Sequence, residues 1–451
     1  MGFKKLSDSN SRGKSYFKQL KGAFFYKIGA VASSFLAVPI MLRYLGAEQF
    51  GVWSTMLTLL SWIMIFDLGI GSGLKNKIAQ SVAIGDVKAA AGYISTAYIL
   101  IGCFSVIMFV LFIALSFWLP WQAIFNTRIF SESHLRLLVI CLSFFVFLNF
   151  WLGLVNQIYH GLQRSSMVVL GQLISNFFAL IVVVFLYKFS NSSILFMVFS
   201  HGGALFFSNL LLTRFIFSAK RQLIPSVRKF DFYKVKPLLA LSLKFFVIQV
   251  SVLLIFMTDK ILITQLLGPQ YVMPYDVLFK LFSVFTVVHG LILAPLWPAC
   301  ADAYQKNDLD WIARSINYQL KFYFLIVVGV VVFAGLGPWI VKVWIGEEFS
   351  VDRSLYFIFA VFIIVSIWNN IFGVVLGAIN KVRLGAIHTF LSALINVPLS
   401  IFLVRFFDLG IAGVLCSTII SILLSSLISP VQVWYFIIYR QKNILGERIF
   451  S

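Results

Sequence analysis

The sequence predicts an all-α integral membrane protein: about twelve transmembrane helices in two six-helix bundles around a central cavity, with the N and C termini cytoplasmic. Composition, the length of the apolar runs and the one-sided distribution of basic residues predict it. Hydrophobic residues make up 61% of the 451 and charged residues 12%, against about 25% charged in an ordinary soluble domain. The apolar residues fall into repeated runs of about twenty or more, enough to cross a hydrocarbon core of about 30 Å at about 1.5 Å per residue. Alternating strand-length segments are missing, which excludes a transmembrane barrel.

Residues 1–21 read as a basic cytoplasmic segment, with no small-residue cleavage site behind a short apolar core and hence no signal peptide. Spans follow near 22–44, 50–74, 90–119, 135–159, 167–187 and 193–217, and these form the first bundle, 22–217. A basic cytoplasmic linker, 218–237, precedes spans near 238–267, 271–300, 318–341, 355–379, 384–404 and 409–439. These form the second bundle, 238–439, and 440–451 is a cytoplasmic tail.

Alternating the spans across the membrane places only Arg43, Arg128, Arg136, Lys188, Lys342, Arg353 and Arg405 outside. The other loop lysines and arginines, including those of the N-terminal segment and the linker, fall inside, because basic loops resist translocation. The net charge of +20 is therefore an orientation signal. It calls for anionic lipid headgroups and for no nucleic acid.

The two halves resemble each other. Leu45-Gly46 after the first span matches Leu267-Gly268 after the seventh at an offset of 222. GLQRSSMVVLGQLISN (161–176) parallels GAINKVRLGAIHTFLSALIN (377–396), ending in Asn176 and Asn396 at an offset of 220. Six spans per half return the chain to the same side, so the repeat is parallel.

Several chemistries are excluded. Cys103, Cys141, Cys300 and Cys416 lie within apolar runs without CxxC or CxxH spacing, so neither a metal site nor any other cofactor is expected. A Walker A motif and a GxSxG elbow are missing, and the glycines of DLGIGSGLKN follow no strand. No loop exceeds about twenty residues, which leaves no extramembrane domain to carry enzymatic chemistry, and the chain reads as a non-enzyme.

An ionisable side chain inside a span costs at least about 2.5 kcal/mol, so it faces the protein interior and marks a pathway or a pair. The first half offers Lys27, Asp67 and His201, with Arg43 and Arg214 near span ends. The second offers Lys244, Asp259, Lys260, Asp276, Lys280, His289, Lys321 and His388. Spans seven and eight form a hairpin turning near GPQYVMP (268–274), and Asp259 and Lys280 lie at similar depth on either side. They read as a buried ion pair beside Lys260, or as a cation for phosphate and a carboxylate that loads a proton or sodium ion. Lys280 and His289, nine residues apart, face opposite sides of a helix, whereas Asp276 and Lys280 share a face. Asp67 aligns with His289 at the 222 offset. Lys27 either snorkels to the inner interface or meets a diphosphate entering from the cytoplasm. The phosphate-binding candidates are thus Lys280, Lys27 and Lys260, and the ion-coupling or orienting candidates are Asp259, Asp67 and His289. His201 and His388 read as packing histidines.

The stretches LRYLGAEQFGVWS (42–54), FDLGIGSGLKNKIA (66–79), APLWPACADAYQKNDLDWIARS (294–315) and LGAINKVRLGAIHTFLSALINVPLSIFLVRFFDLGIAGV (376–414) resemble the O-antigen and polysaccharide flippase family. That family lies within the multidrug/oligosaccharidyl-lipid/polysaccharide exporter superfamily. The resemblance spans nearly the whole chain and rests on the order and spacing of glycine-rich stretches. It implies a multi-pass protein of the bacterial inner membrane. The implied task is moving an undecaprenyl-diphosphate-linked oligosaccharide from the cytoplasmic to the periplasmic leaflet by alternating access, coupled to H+ or Na+. Implied partners are a polysaccharide polymerase and chain-length proteins.

Three other readings compete. A cation-coupled multidrug exporter would need a carboxylate-rich cavity, whereas these spans hold more lysine than acid. A polysaccharide polymerase or ligase would need a large periplasmic loop, and a peptidoglycan-precursor flippase would carry arginine-rich early spans.

Overall fold

The computed structural model describes residues 9–63, 70–238, 257–347, 349, 351–381 and 383–439. Among them there is no strand, and ten helices are long and apolar enough to cross a membrane. The first of these, Lys21–Trp62, joins the expected span at 22–44 and the first part of the one at 50–74 in one element, and the end of the latter falls in the separate helix that starts at Ile70. The seventh expected span, 238–267, lies mostly outside the described residues, as do the candidates Asp67 and Lys244.

The chain divides into two compact units, 1–250 and 251–451. Unit 1 contains α1 (Ser9–Ile63), α2 (Ile70–Ala83), α3 (Val87–Ser116), the short α4 (Trp121–Phe125), α5 (Glu132–Leu152), α6 (Leu154–Gly161), α7 (Ser165–Phe189) and α8 (Ile194–Ala219). Unit 2 contains α9 (Asp259–Leu266), α10 (Val272–Gln305), α11 (Leu309–Trp344), α12 (Arg353–Ala378), α13 (Arg383–Phe407) and α14 (Gly410–Val433), the last running on as a π-helix over Trp434–Tyr439. Helix α10 has 34 residues, about 51 Å at about 1.5 Å each, so its polar C-terminal end outruns the apolar run that the sequence marks out.

The internal repeat is visible in the turns. Gly46 breaks α1 with φ 74°, and Gly268, its partner at the 222 offset, has φ 115° before the 3-10 turn Pro269–Tyr271. Both positions need a residue without Cβ. At the same offset, Asp86 caps α3 by accepting from the Ala89 N–H at 2.8 Å, and Asp308 caps α11 by accepting from the Trp311 N–H at 3.0 Å. The GLQ and GAIN stretches end their helices alike, with Gln163 and Asn380 both at φ 58°. The next amide reaches back five residues in each, Arg164 to Tyr159 O at 2.8 Å and Lys381 to Leu376 O at 2.9 Å. This is the Schellman closure.

Within unit 1, Ile70, Leu74, Ile78, Ile94, Val155, Ile158 and Leu212 knit α2, α3, α6 and α8 together. Within unit 2, Leu293, Ile312, Ile371, Val375 and Ile437 join α10, α11, α12 and the end of α14. Lipid is as apolar as these side chains, so packing and inter-helix hydrogen bonds select the partners. One such bond recurs in both units: Asn149 Nδ2 donates to Gly202 O at 3.1 Å and Asn369 Nδ2 to Ile422 O at 3.5 Å.

The basic 218–237 segment docks on α3. Ser226 N–H donates to Ser95 Oγ at 3.2 Å, and Asp231 N–H donates to Thr96 Oγ1 at 3.2 Å.

Candidate functional site

In unit 1 the local sequence bends the backbone around a cavity. Gly153 separates α5 from α6, where a Cβ would meet the Asn149 carbonyl oxygen at 2.6 Å. The break aims α6 so that Asn156 and Gln157 line a cavity of about 430 Å3, together with Asn149, Gln172, Asn176 and Asn209. Three of these carboxamides form a chain. Asn156 Nδ2 donates to Asn209 Oδ1 at 3.3 Å, and Asn209 Nδ2 donates to Asn149 Oδ1 at 3.1 Å. Asn149 in turn donates to the backbone of Phe145 at 2.9 Å and Gly202 at 3.1 Å. Asn176 ties α7 to α1 by donating to Ala30 O at 2.9 Å. The described lining contains no ionisable side chain.

Lys27 stands beside this cavity. Its ammonium donates to Gln172 Oε1 at 3.0 Å. The partner is neutral, so among the described residues this contact orients the positive charge without cancelling it.

Unit 2 holds the charged cluster. Asp259 is 1% exposed and opens α9, where a carboxylate suits the helix N-terminus. Tyr275 Oη donates to its Oδ2 at 2.8 Å and Thr418 Oγ1 to its Oδ1 at 2.9 Å. Behind Thr418, Asn396 Nδ2 donates to the threonine hydroxyl at 3.0 Å, and Thr258 Oγ1 donates to Asn396 Oδ1 at 3.3 Å. A continuous line of hydrogen bonds thus runs Thr258, Asn396, Thr418, Asp259, Tyr275.

The hairpin does contain an ion pair, with different partners from those depth alone suggests. Lys260 Nζ lies 2.5 Å from Asp276 Oδ1, while Asp259 is held by hydroxyls. Counting outward from a seven-residue turn pairs Asp259 with Lys280. The turn is tighter, because α10 resumes at Val272, and the acid that meets the hairpin's lysine lies one helical turn earlier. Lys280 has Asp276 and Lys260 as its charged neighbours.

His289 is 1% exposed, and its Nε2 takes no hydrogen bond among the described residues. His201 packs edge-on against Trp53 with ring centroids 5.9 Å apart, and His388 is buried.

Sequence reasoning missed the carboxamides, Tyr275 and Thr418. Asn149, Asn156 and Gln157 sit at i, i+7 and i+8 in an apolar run, and Gln172 and Asn176 four apart in the next. That spacing puts polar groups on one face and was readable.

The fold is that of known membrane transporters. A multidrug resistance MATE family transporter of the MOP superfamily, in its inward-facing conformation, superimposes with a TM-score of 0.77 at 16% identity, covering 92% of this chain and 96% of that one. A MOP superfamily transporter from Pyrococcus furiosus, whose reverse-polarity binding pocket suggests a different function, gives 0.65 at 15% identity over 94% and 97%.

In sequence, a candidate O-antigen transporter of Salmonella typhi is 25% identical over 88% of this chain and 90% of its own length. A candidate O-antigen export protein of Yersinia pseudotuberculosis is 24% identical over 88% and 91%. Residues 19–304 match the polysaccharide biosynthesis protein family, and the chain belongs to it.

Proposed function

We propose that this protein is a flippase. It translocates an undecaprenyl-diphosphate-linked oligosaccharide, an O-antigen or related repeat unit, from the cytoplasmic to the periplasmic leaflet of the inner membrane by alternating access. The observation that carries this reading is Lys27, a cation held by the neutral Gln172 at the side of a neutral polar cavity. A diphosphate and its sugars cannot shed water in hydrocarbon without replacement partners, and a charge-assisted contact to phosphate is the strongest replacement a side chain offers. Unit 1 offers Lys27 for that contact, and unit 2 offers Lys280, with Lys260 when its pairing to Asp276 opens.

Asp259 is the carboxylate proposed to load the coupling ion, H+ or Na+, since Tyr275 and Thr418 compensate its charge only through neutral hydroxyls. The family membership and the O-antigen transport named for its relatives support the substrate class. Export of cationic drugs would ask for a carboxylate facing the ligand, and the described lining of the unit 1 cavity has none.

The test is reconstitution of the purified full chain in liposomes with a labelled polyprenyl-diphosphate sugar whose outer-leaflet fraction is read by a membrane-impermeant oxidant. Translocation that depends on a proton or sodium gradient is expected. Equal signals from loaded and protein-free liposomes, under both gradients, would reject the proposal.

A further inference from the structure

We infer that the carboxamide-lined cavity of unit 1 is the sugar subsite of this protein, recognising the hydroxyl and acetamido groups of the saccharide nearest the diphosphate. The inference rests on the flippase reading and adds to it a place and a chemistry.

Six carboxamides, Asn149, Asn156, Gln157, Gln172, Asn176 and Asn209, line one space of about 430 Å3, within the about 300–1,000 Å3 of small-molecule sites. A sugar hydroxyl both donates and accepts, and a carboxamide does both from one planar group. A lining built from amides therefore satisfies a polyol in any rotation of its hydroxyls. A cationic ligand would find no counter-charge in it, and an apolar ligand would leave the amides unpaired, at a cost of about 1–3 kcal/mol each.

The amides divide into two roles. Asn149 and Asn209 are 8% exposed each and are tied to each other and to the backbone, so they are the fixed wall. Gln157 takes no side-chain partner among the described residues. Asn156 spends its Nδ2 on Asn209 and leaves Oδ1 open. Gln172 spends Oε1 on Lys27 and leaves Nε2 open. Asn176 leaves Oδ1 open. The open groups suit a ligand.

The position of Lys27 gives the cavity a direction. Its ammonium shares Gln172 with the lining, so a phosphate on Lys27 would place the attached sugar at the amides. Diphosphate next to sugar is the connectivity of a glycosyl diphosphate lipid. Phe150, also in the lining, adds a flat apolar face for the C–H side of a pyranose ring.

The experiment measures binding to the full chain in lipid nanodiscs, comparing undecaprenyl diphosphate with the same lipid carrying a disaccharide that contains N-acetylglucosamine. Wild-type protein should favour the glycosylated lipid by about tenfold, the worth of one or two well-placed hydrogen bonds. Gln157→Ala and, separately, Asn156→Ala should erase that preference and leave affinity for the bare diphosphate lipid within about twofold. Gln157→Asn should restore part of it. Gln157→Ala leaves no known partner unpaired, so its fold is expected to survive, and thermal melting of the purified variant checks this.

A preference that is unchanged in both alanine variants would overturn the subsite and leave the flippase reading standing. Wild-type protein that binds neither lipid would overturn both. A gain for phosphatidylglycerol over phosphatidic acid that Gln157→Ala removes would assign the cavity to a lipid glycerol headgroup and likewise overturn the subsite.

Discussion

The two units close their turns in the same way yet fill the polar positions with different chemistry. At the 222 offset, Ala37 and Trp53 in unit 1 stand where unit 2 has Asp259 and Tyr275, and Val198 stands at the 220 offset from Thr418. In unit 1 those positions are apolar, and its polar groups gather around a cavity as neutral amides. In unit 2 they form a buried carboxylate with its hydroxyls, one hairpin turn from an ion pair. The difference teaches a division of labour. A charge in a membrane interior is costly to keep, and on the proposed reading Asp259 is kept for ion coupling while the amides, which do not titrate, suffice for sugar recognition.

The comparison breaks most decisively at Asp259. Asp259→Asn keeps the size of the side chain and removes its charge, and it is expected to lower gradient-driven translocation by about a hundredfold, about 2.7 kcal/mol, while glycolipid binding stays near wild type. Asp259→Asn liposomes that still respond to the proton or sodium gradient would return Asp259 to a purely structural role.

A smaller effect is expected in unit 1. Lys27→Ala should weaken binding of both the bare and the glycosylated diphosphate lipid by about tenfold, since a hydrogen bond to a charged group is worth about 1.5–3 kcal/mol. The ratio between the two lipids should persist if, as proposed, Lys27 holds phosphate and the amides hold sugar. A lost ratio with phosphate binding intact would reverse those roles.

The hairpin's ion pair comes next. Its side chains are 25% and 16% exposed, so solvent screens it and the coupling should exceed the surface value of about 0.2–1 kcal/mol only modestly. A double-mutant cycle with Lys260→Ala and Asp276→Ala, followed by thermal melting in detergent, should give about 1–2 kcal/mol. A coupling near zero would mean that the pair adds nothing to the stability of unit 2.

Much of this architecture was legible in the sequence, because length and hydropathy are one-dimensional signals. Ten apolar helices stand where apolar runs stood, and Leu45-Gly46 with Leu267-Gly268 announced two turns that the φ angles of Gly46 and Gly268 then explain. Asp259 and Lys27 were found because charge inside a span is conspicuous. Their partners were not, since Tyr275, Thr418 and Gln172 are ordinary residues in apolar runs until folding brings them within 3.0 Å. Asp276 was found among the intramembrane charges, but its pairing with Lys260 was not, because the hairpin turns more tightly than a seven-residue count assumes. The amide cavity escaped because a search for ionisable groups passes over side chains whose whole value is being neutral.

The smallest effect concerns the titratable pair that unit 1 does keep, which lies on its docked linker, outside the apolar helices. The Lys234 ammonium, hydrogen-bonded to Asp231, holds that carboxyl below its ordinary value of 3.8, aided by the Tyr233 N–H at 3.0 Å. A carboxyl depressed by folding contributes stability that is fully present above its unfolded value and is lost as pH falls through the folded one. The docking of 226–234 on α3 should therefore be constant from about pH 5 to 8 and loosen below about pH 4. Hydrogen exchange of the Asp231 and Tyr233 amides, corrected for intrinsic rates, reads this directly. Lys234→Ala should move the loosening to higher pH, toward the ordinary carboxyl value, without changing sugar binding in the cavity. If acid instead altered sugar binding while the linker amides stayed protected, unit 1 would contain a titrating group among its recognition residues, and the contrast with unit 2 would fail.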